Sequence, residues 1–214
     1  MSNPAAVGGR ERVLAEIRKS LGRGTASSEP IPVLPGAGPR PAFEGDAIER
    51  FAAKMLEKSA TLVRIGSLAE VGPEVARFVA SVKSGRKLCV SKALAAIEWP
   101  TGFAVEHRAA VREDETSVTP CFAAVAESGG IVTLSGPDTP STLNFVPDNH
   151  IVVVRASQVV RHFEDVWTQW RASGLPMPRT VNIISGPSRT ADIEQTIQLG
   201  AHGPRRLHIL LVTA

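Results

Sequence analysis

The chain has 214 residues, of which 43% are hydrophobic and 21% are charged, and its formal net charge at pH 7 is +3. This length suits one domain with a sizeable core, and this composition excludes intrinsically disordered and collagen-like proteins. Basic residues are interleaved with acidic ones, as in Arg10-Glu11-Arg12, whereas nucleic-acid-binding proteins cluster them on one face. Nucleic acid is therefore not an expected partner.

The chain lacks the sequence signals of membrane insertion and of secretion. No apolar run approaches the roughly 20 residues that span a bilayer, and the N-terminus has no hydrophobic signal-peptide segment. We therefore expect a cytoplasmic protein. Its two cysteines, Cys89 and Cys121, lie in separate apolar stretches. Because an iron–sulfur cluster needs about four thiolates, we expect buried free thiols and no cofactor or metal bound by this chain.

The first predicted element is an amphipathic helix over residues 10–21, in which Val13, Ile17 and Leu21 recur at helical spacing. Residues 22–41 are rich in proline, which keeps the backbone extended and favours a linker. We interpret residues 1–45 as an N-terminal helical arm and linker, and residues 46–214 as one α/β domain. The first helix is either a docking arm or an ordinary packed terminal helix.

From residue 46 onward, helical and strand-like patterns alternate. Apolar residues at spacings of three and four predict three helices, one with Ile48, Phe51 and Met55, one with Val75, Phe78 and Val82, and one opened by Ser157 with Val160, Phe163, Trp167 and Trp170. Apolar runs predict strands over residues 61–65, 87–91, 103–106, 131–134, 151–155, 181–185 and 207–212. This alternation is typical of a mainly parallel sheet with helices on both faces.

Residues 129–154 depart from the alternation. Two strand patterns are joined there by a connection rich in proline, aspartate and threonine, without helical spacing. We expect an antiparallel pair or another β excursion in this segment.

The strongest local signal for a binding site is a turn of glycine, proline and hydroxyl residues, which we call the GPSR turn (residues 185–190). It leads from a buried strand into a predicted helix that begins at Ser188 or Thr190 and ends at Gly200. Such turns at the carboxyl ends of parallel strands bind ligands in open α/β sheets. The residues that could hold a phosphate or carboxylate there are Ser185, Gly186, Pro187, Ser188, Arg189, Thr190 and Asp192. The alternative is a helix cap in which Arg189 pairs with Asp192.

A second turn, Gly200-Ala201-His202-Gly203-Pro204, follows and leads into the last strand; we call it the GAHGP turn. A neutral His202 imidazole could act as a general base there, with Gly203 beside the ligand. The alternative is a surface or hydrogen-bonded structural histidine. Because no HxH or HExxH motif accompanies His202, we expect no zinc site.

The third candidate segment is the polar turn Glu127-Ser128-Gly129-Gly130, placed between a predicted helix and a strand. Glu127 could be a nucleophile or a base if it is buried beside the other two turns, and Ser128 could bind the ligand. The alternative is a helix C-terminus followed by a glycine-rich turn. We interpret His150 as only bordering its strand.

Three segments carry a resemblance to a known family: ESGGIVTLSG, VPDNHIVVV and IISGPSRTADIEQTIQLGAHGPRRLHILLV. They resemble the lactate utilisation protein C family, also called the LUD domain family, over about residues 120–212. The start RVLAEIRKSLGR is similar as well. The resemblance implies a fold like that of the NagB/RpiA/CoA-transferase α/β superfamily. It also implies association with two iron–sulfur proteins that together oxidise L-lactate to pyruvate.

Two differences from the family bear on the site. The family commonly has Glu-Thr-Gly-Thr where this chain has Glu127-Ser128-Gly129-Gly130, and it commonly has arginines where this chain has residues 139–144. If those arginines bind an anionic ligand in relatives, part of that site is missing here.

The family context and the lack of a flavin, nicotinamide or cluster signature predict an accessory subunit of a lactate-oxidising system. One alternative is a CoA-transferase- or isomerase-like enzyme with Glu127 and His202 as catalytic groups. The other is a sensor that binds a small anionic metabolite.

Overall fold

The computed structural model describes residues 8–22, 40–190 and 198–213. The chain divides into a unit of residues 1–39 and a unit of residues 40–214. The described element of the first unit is helix α1 (Gly9–Ser20), close to the predicted 10–21. Glu11 lies in its first turn and Lys19 in its last, an order that suits the helix dipole. Most of the predicted linker lies outside the described residues.

The second unit is built on a six-stranded sheet in which all neighbouring strands are parallel. Its strands, in spatial order, are β1 (Thr61–Ile65), β12 (Arg206–Val212), β7 (Asn149–Arg155), β4 (Thr116–Pro120), β2 (Lys87–Val90) and β3 (Ala104–Glu106). The central strand β7 is buried on both faces, because Ile151 packs into one core cluster and Val152 into another. Continuous apolar runs are expected in such strands.

Helices cover both faces of this sheet. Helix α2 (Ala47–Glu57) packs Phe51 against one face, and helix α3 (Val71–Ser81) packs Val75 against the other. The predicted α/β class with a mainly parallel sheet is therefore confirmed. None of the helices described combines the length and the apolar character needed to cross a membrane.

A smaller sheet of four strands packs on the α2 side of the large sheet. Its strands, in spatial order, are β8 (Val159–Val160), β5 (Ala123–Val125), β6 (Gly130–Leu134) and β9 (Val181–Ile184). Ala124 and Ile131 join the core on the α2 side, whereas Ala123 and Val132 pack with helix α5 (Phe163–Ser173). The expected β excursion is this sheet, in which β6 runs antiparallel to β5 and β9.

Two helix predictions in this region are wrong. The segment before Glu127 is the strand β5, which forms a hairpin with β6. The helix predicted from Ser157 begins only at Phe163, because the preceding Val159–Val160 pair with β5 as strand β8. The connection from β6 to β7 contains a short helix that was not predicted, α4 (Thr142–Phe145).

The prediction of a helix after the GPSR turn is also wrong, because the residues at both ends of the predicted range form strands. Strand β10 (Arg189–Thr190) pairs antiparallel with strand β11 (Gln198–Leu199), so both ends of the predicted helix are extended. Residues 191–197, including Asp192, lie outside the described residues. The GPSR turn therefore leads from β9 into a β-ribbon.

Candidate functional site

A cavity of about 230 Å³ lies between the GPSR turn, the GAHGP turn and the amino ends of β7 and β12. Its polar lining consists of Asn144, His150, Ser185, Ser188 and His202, and its apolar lining includes Phe145, Ile183, Ile184, Pro204 and Leu207. Pockets for drug-sized molecules occupy about 300–1,000 Å³. The cavity is therefore of a size that suits a small metabolite.

Ser188 joins the two turns through three hydrogen bonds. Its N–H donates to the Pro204 carbonyl at 2.8 Å, and its carbonyl accepts from the Gly200 N–H at 3.0 Å. Its hydroxyl accepts from the His202 N–H at 3.3 Å. The GAHGP turn thus folds back onto the GPSR turn. In consequence, the predicted residues Ser185, Gly186, Ser188, His202 and Gly203 line one cavity.

This cavity lies at the amino ends of parallel strands. We predicted a site at the carboxyl ends of such strands, and that prediction is wrong. Strand β9, which precedes the GPSR turn, runs antiparallel to β6 in the smaller sheet. The rule for carboxyl ends of parallel strands therefore does not apply to it. His150 and Leu207 are each the second residue of their strands, β7 and β12.

Two buried polar side chains that we did not predict for the site also line the cavity. His150 has no exposed surface, and its Nε2 lies 2.8 Å from the Thr119 hydroxyl. Burial lowers the pKa of His150 to about 3, so its imidazole is neutral near pH 7. Asn144 is 2% exposed and donates from Nδ2 to the Thr133 hydroxyl at 3.0 Å. The sequence signal for His150 is a histidine within a strand otherwise buried and apolar.

The other residues predicted from the GPSR turn are placed differently. Arg189 donates to the Lys58 carbonyl at 3.3 Å, at the C-terminal end of α2, and it is not among the residues that line the cavity. Pro187 is half-buried outside the lining, and Thr190 belongs to β10. Asp192, with its predicted pairing to Arg189, lies outside the described residues.

Glu127 contacts the start of helix α5. One carboxylate oxygen lies 2.7 Å from His162 Nδ1, and the other accepts from the Phe163 N–H at 3.3 Å. His162 is the N-cap residue of α5, so Glu127 supplies hydrogen-bond acceptors to the first residues of that helix. Glu127 does not line the cavity. Its role as a nucleophile or base stays a prediction.

Ser128 is not among the residues that line the cavity either, although it lies near Ser185, which does line it. Its hydroxyl accepts from the Gly130 N–H at 3.2 Å. A Cβ at Gly130 would lie 3.1 Å from the Ser128 hydroxyl and 3.6 Å from the Ser185 hydroxyl, so both hydroxyls border the same glycine. The Ser128 carbonyl accepts from the Lys58 ammonium. The structure therefore brings Ser128 beside Ser185, whereas Glu127 is held on the α5 side.

The two cysteines are buried in different core clusters. Burial raises the pKa of the Cys121 thiol to about 12 and also raises that of Cys89. Both groups are therefore neutral thiols near pH 7.

Comparison with known proteins identifies relatives of this chain. The LUD domain model matches residues 91–212, a range that contains every residue lining the cavity. Lactate utilization protein C of Deinococcus radiodurans is 28% identical over 205 residues, which cover 92% of this chain and 94% of that protein. The proteins of that name from Exiguobacterium sp. and Bacillus subtilis are 38% and 30% identical over 48% and 54% of this chain. The chain spans about half of their length, 46% and 50%.

A solved structure shares the fold. The crystal structure of a DUF162 family protein from Deinococcus radiodurans superposes with a TM-score of 0.56, at 24% sequence identity. The match covers 78% of this chain and 96% of that chain. The α/β architecture is therefore common to both proteins.

Proposed function

The chain belongs to the LUD domain family, and from this premise we propose that it acts in lactate utilisation. In this role it is an accessory subunit of a system that oxidises L-lactate to pyruvate. The observation that carries the proposal is the match to lactate utilization protein C of Deinococcus radiodurans over 92% of the chain. Iron–sulfur proteins are the proposed partners, as the family resemblance implies; two cysteines fall short of the about four thiolates that a cluster takes, so the clusters are assigned to those partners.

A pull-down tests the accessory role. The tagged full-length chain is captured from cells that grow on L-lactate, and the eluate is measured by visible absorption spectroscopy and iron analysis. We expect co-purified proteins with the brown colour of iron–sulfur clusters. The control is the same capture with an untagged chain. A colourless eluate that contains only the tagged chain would contradict the proposed association.

A second candidate function, binding of a small anionic metabolite, is favoured by the cavity. Its two turns are joined through Ser188, and the described residues of its lining offer hydroxyl and imidazole groups and include no aspartate or glutamate side chain. The protein could use this binding as a sensor or as a transferase- or isomerase-like enzyme. In the enzymatic case, His202 is the proposed general base, since it lines the cavity.

Calorimetric titration of the purified chain with L-lactate, pyruvate and CoA tests the second function. A subunit that only supports its partners should bind none of these compounds. Saturable binding of any one of them supports a ligand site.

A further inference from the structure

Strand β9 lies at one edge of the smaller sheet, with β6 as its neighbour. In an antiparallel pair, the backbone groups of successive residues point alternately towards the neighbouring strand and away from it. The Ser135 N–H donates to the Thr180 carbonyl at 3.0 Å, which fixes this alternation for β9. The backbone groups of Val181 and Ile183 therefore point away from β6, and no described strand pairs with them on that side.

This edge lacks the features that protect edge strands from pairing with another chain. Such strands are commonly very short or carry charged residues or proline. Of the other edge strands of the two large sheets, β1 contains Arg64, β3 contains Glu106, and β8 has only two residues. Strand β9 has four residues, with the sequence Val-Asn-Ile-Ile. It can therefore accept a further strand.

Exposed apolar side chains surround the same edge. Ile183 is 52% exposed, and it lines the cavity together with the exposed Phe145. Leu175 and Met177, which precede β9 in the chain, are exposed as well and line a second cavity of about 610 Å³. Grouped exposed apolar residues mark interaction surfaces. The edge thus combines available backbone hydrogen-bonding groups with apolar contact area.

The pattern of β9 is complementary to itself, which identifies a second copy as the occupant. When two β9 strands run antiparallel with Asn182 on the two-fold axis, Val181 of each copy lies opposite Ile183 of the other. These two residues carry the outward backbone groups, so the strands exchange N–H···O bonds without leaving any of these groups unused. A register shifted by one residue would place outward groups opposite inward ones. Arg179 then lies opposite Ser185 of the second copy, so no like charges meet.

We propose that β9 pairs antiparallel with β9 of a second copy, in a dimer in which Arg179 of each copy reaches the GPSR turn of the other. The Cα atoms of such opposed residues are about 5.5 Å apart, within the length of an arginine side chain. Ser185 lines the cavity, whose described lining contains hydroxyl and imidazole groups but no lysine or arginine. Arg179 would supply the cation for an anionic ligand. The role of Arg179 rests on the metabolite-binding function proposed above, whereas the strand pairing does not.

Sedimentation of the full-length chain at micromolar concentration tests the dimer. We expect a dimeric wild type and a monomeric Ile183→Lys variant, because a charge on the edge opposes strand pairing. Val111→Lys is the matched control and should stay dimeric, since Val111 is 48% exposed but lies outside the smaller sheet. Circular dichroism establishes that both variants are folded. A monomeric wild type, or a folded Ile183→Lys variant that remains dimeric, would overturn the proposal.

Disulfide cross-linking tests the register and does not depend on the folding of Ile183→Lys. Opposed residues that are not hydrogen-bonded have Cα atoms about 4.5 Å apart, a distance that a disulfide can span. We therefore expect Asn182→Cys to give a covalent dimer on oxidation. In Thr180→Cys, the two cysteines would be four residues apart along the strands, about 13 Å, and should not link. The native cysteines are buried and should not interfere. Linking through Thr180→Cys, or through neither variant, would contradict this register.

Calorimetric titration with pyruvate and with inorganic phosphate tests the role of Arg179. We expect Arg179→Gln to stay dimeric and to bind the anion that the wild type binds at least about tenfold more weakly. Arg112→Gln, which also removes an exposed arginine, should bind like the wild type. Wild-type affinity in Arg179→Gln would overturn the role of Arg179. A dimeric wild type that binds neither anion would overturn that role and the metabolite-binding function, and would leave the strand pairing supported.

Discussion

The carboxylate of Glu127 contacts the first residues of α5, and this placement determines what its substitution should do. Glu127→Ala removes the acceptor of the Phe163 N–H and the partner of His162. We expect the free energy of unfolding to fall by about 1–2 kcal/mol, as for the loss of a helix cap, without a change in L-lactate affinity. Urea unfolding and calorimetry measure the two quantities. Glu57→Ala is the control, because Glu57 is exposed and its ion pair with Lys54 lies on the surface.

Unchanged stability together with lost ligand binding or lost activity in Glu127→Ala would contradict this structural role. Such a result would instead favour the predicted nucleophile or base.

Single residues of the site could be predicted only where the local sequence is distinctive. Glycine, proline and hydroxyl residues marked the two turns, and Ser185, Ser188 and His202 do line one cavity. Asn144 and His150 have no such local signal, since their positions depend on where α4 and β7 lie relative to both turns. For His150, the available indication was a histidine inside an apolar strand. Burying a polar imidazole costs free energy unless the ring is hydrogen-bonded, so such a histidine points to a specific role.

At the scale of elements, the hairpin turn between β5 and β6 packs closely against helix α2. Gly129 has a positive φ of 67°, and a Cβ there would lie 2.7 Å from the Lys54 Cβ. We expect Gly129→Ala to lower the free energy of unfolding by about 2 kcal/mol, through left-handed strain and this contact. Gly136→Ala is the matched control, since among the described residues no atom beyond its two chain neighbours lies within 4 Å of its Cβ position. Equal stability of the two variants in urea unfolding would contradict this packing.

Elements whose apolar residues follow a single helical or strand spacing could be predicted. Elements whose apolar residues fit both spacings could not. Strand β1 occupies the predicted residues 61–65, and α2 follows the predicted spacing of Phe51 and Met55. Val160 fits the helical spacing of Phe163 and Trp167, but it belongs to β8 because it pairs with Val125 of β5. That pairing joins residues distant in sequence, so local periodicity could not reveal it.

At the scale of the whole molecule, two buried histidines make stability depend on pH. Burial lowers the pKa of His150 to about 3 and that of His208 to about 4, below the value of about 6.5 in an unfolded chain. The unfolded state therefore binds protons first as the pH falls. Stability is fully present above about pH 6.5 and is lost towards pH 4 and pH 3, by at most about 1.4 kcal/mol per pH unit for each histidine.

Urea unfolding at pH 7.5, 6.5, 5.5 and 5.0 measures this dependence. We expect a falling free energy of unfolding below about pH 6.5, and a shallower fall in His208→Gln. Carboxylates with lowered pKa values, such as Asp114 and Glu115, contribute only at lower pH. A constant free energy of unfolding between pH 7.5 and 5.0 would contradict the burial of neutral histidines.

The fold class could be predicted from the sequence, whereas the strand order could not. Alternating helices and apolar strands indicated a parallel sheet covered on both faces, which the structure has. The order β1-β12-β7-β4-β2-β3 places the last strand beside the first. Local patterns do not contain that information. The same order brings the starts of β7 and β12 together, which is why the cavity lies at the amino ends.

The role in lactate utilisation is tested most directly by growth of the source organism after deletion of the gene. We predict that the deletion strain fails to grow on L-lactate as the sole carbon source, grows normally on pyruvate, and regains growth on L-lactate with the wild-type gene. Pyruvate separates a defect in lactate oxidation from a defect in later metabolism. Undiminished growth of the deletion strain on L-lactate, with lactate consumed at the wild-type rate, would contradict the proposed function.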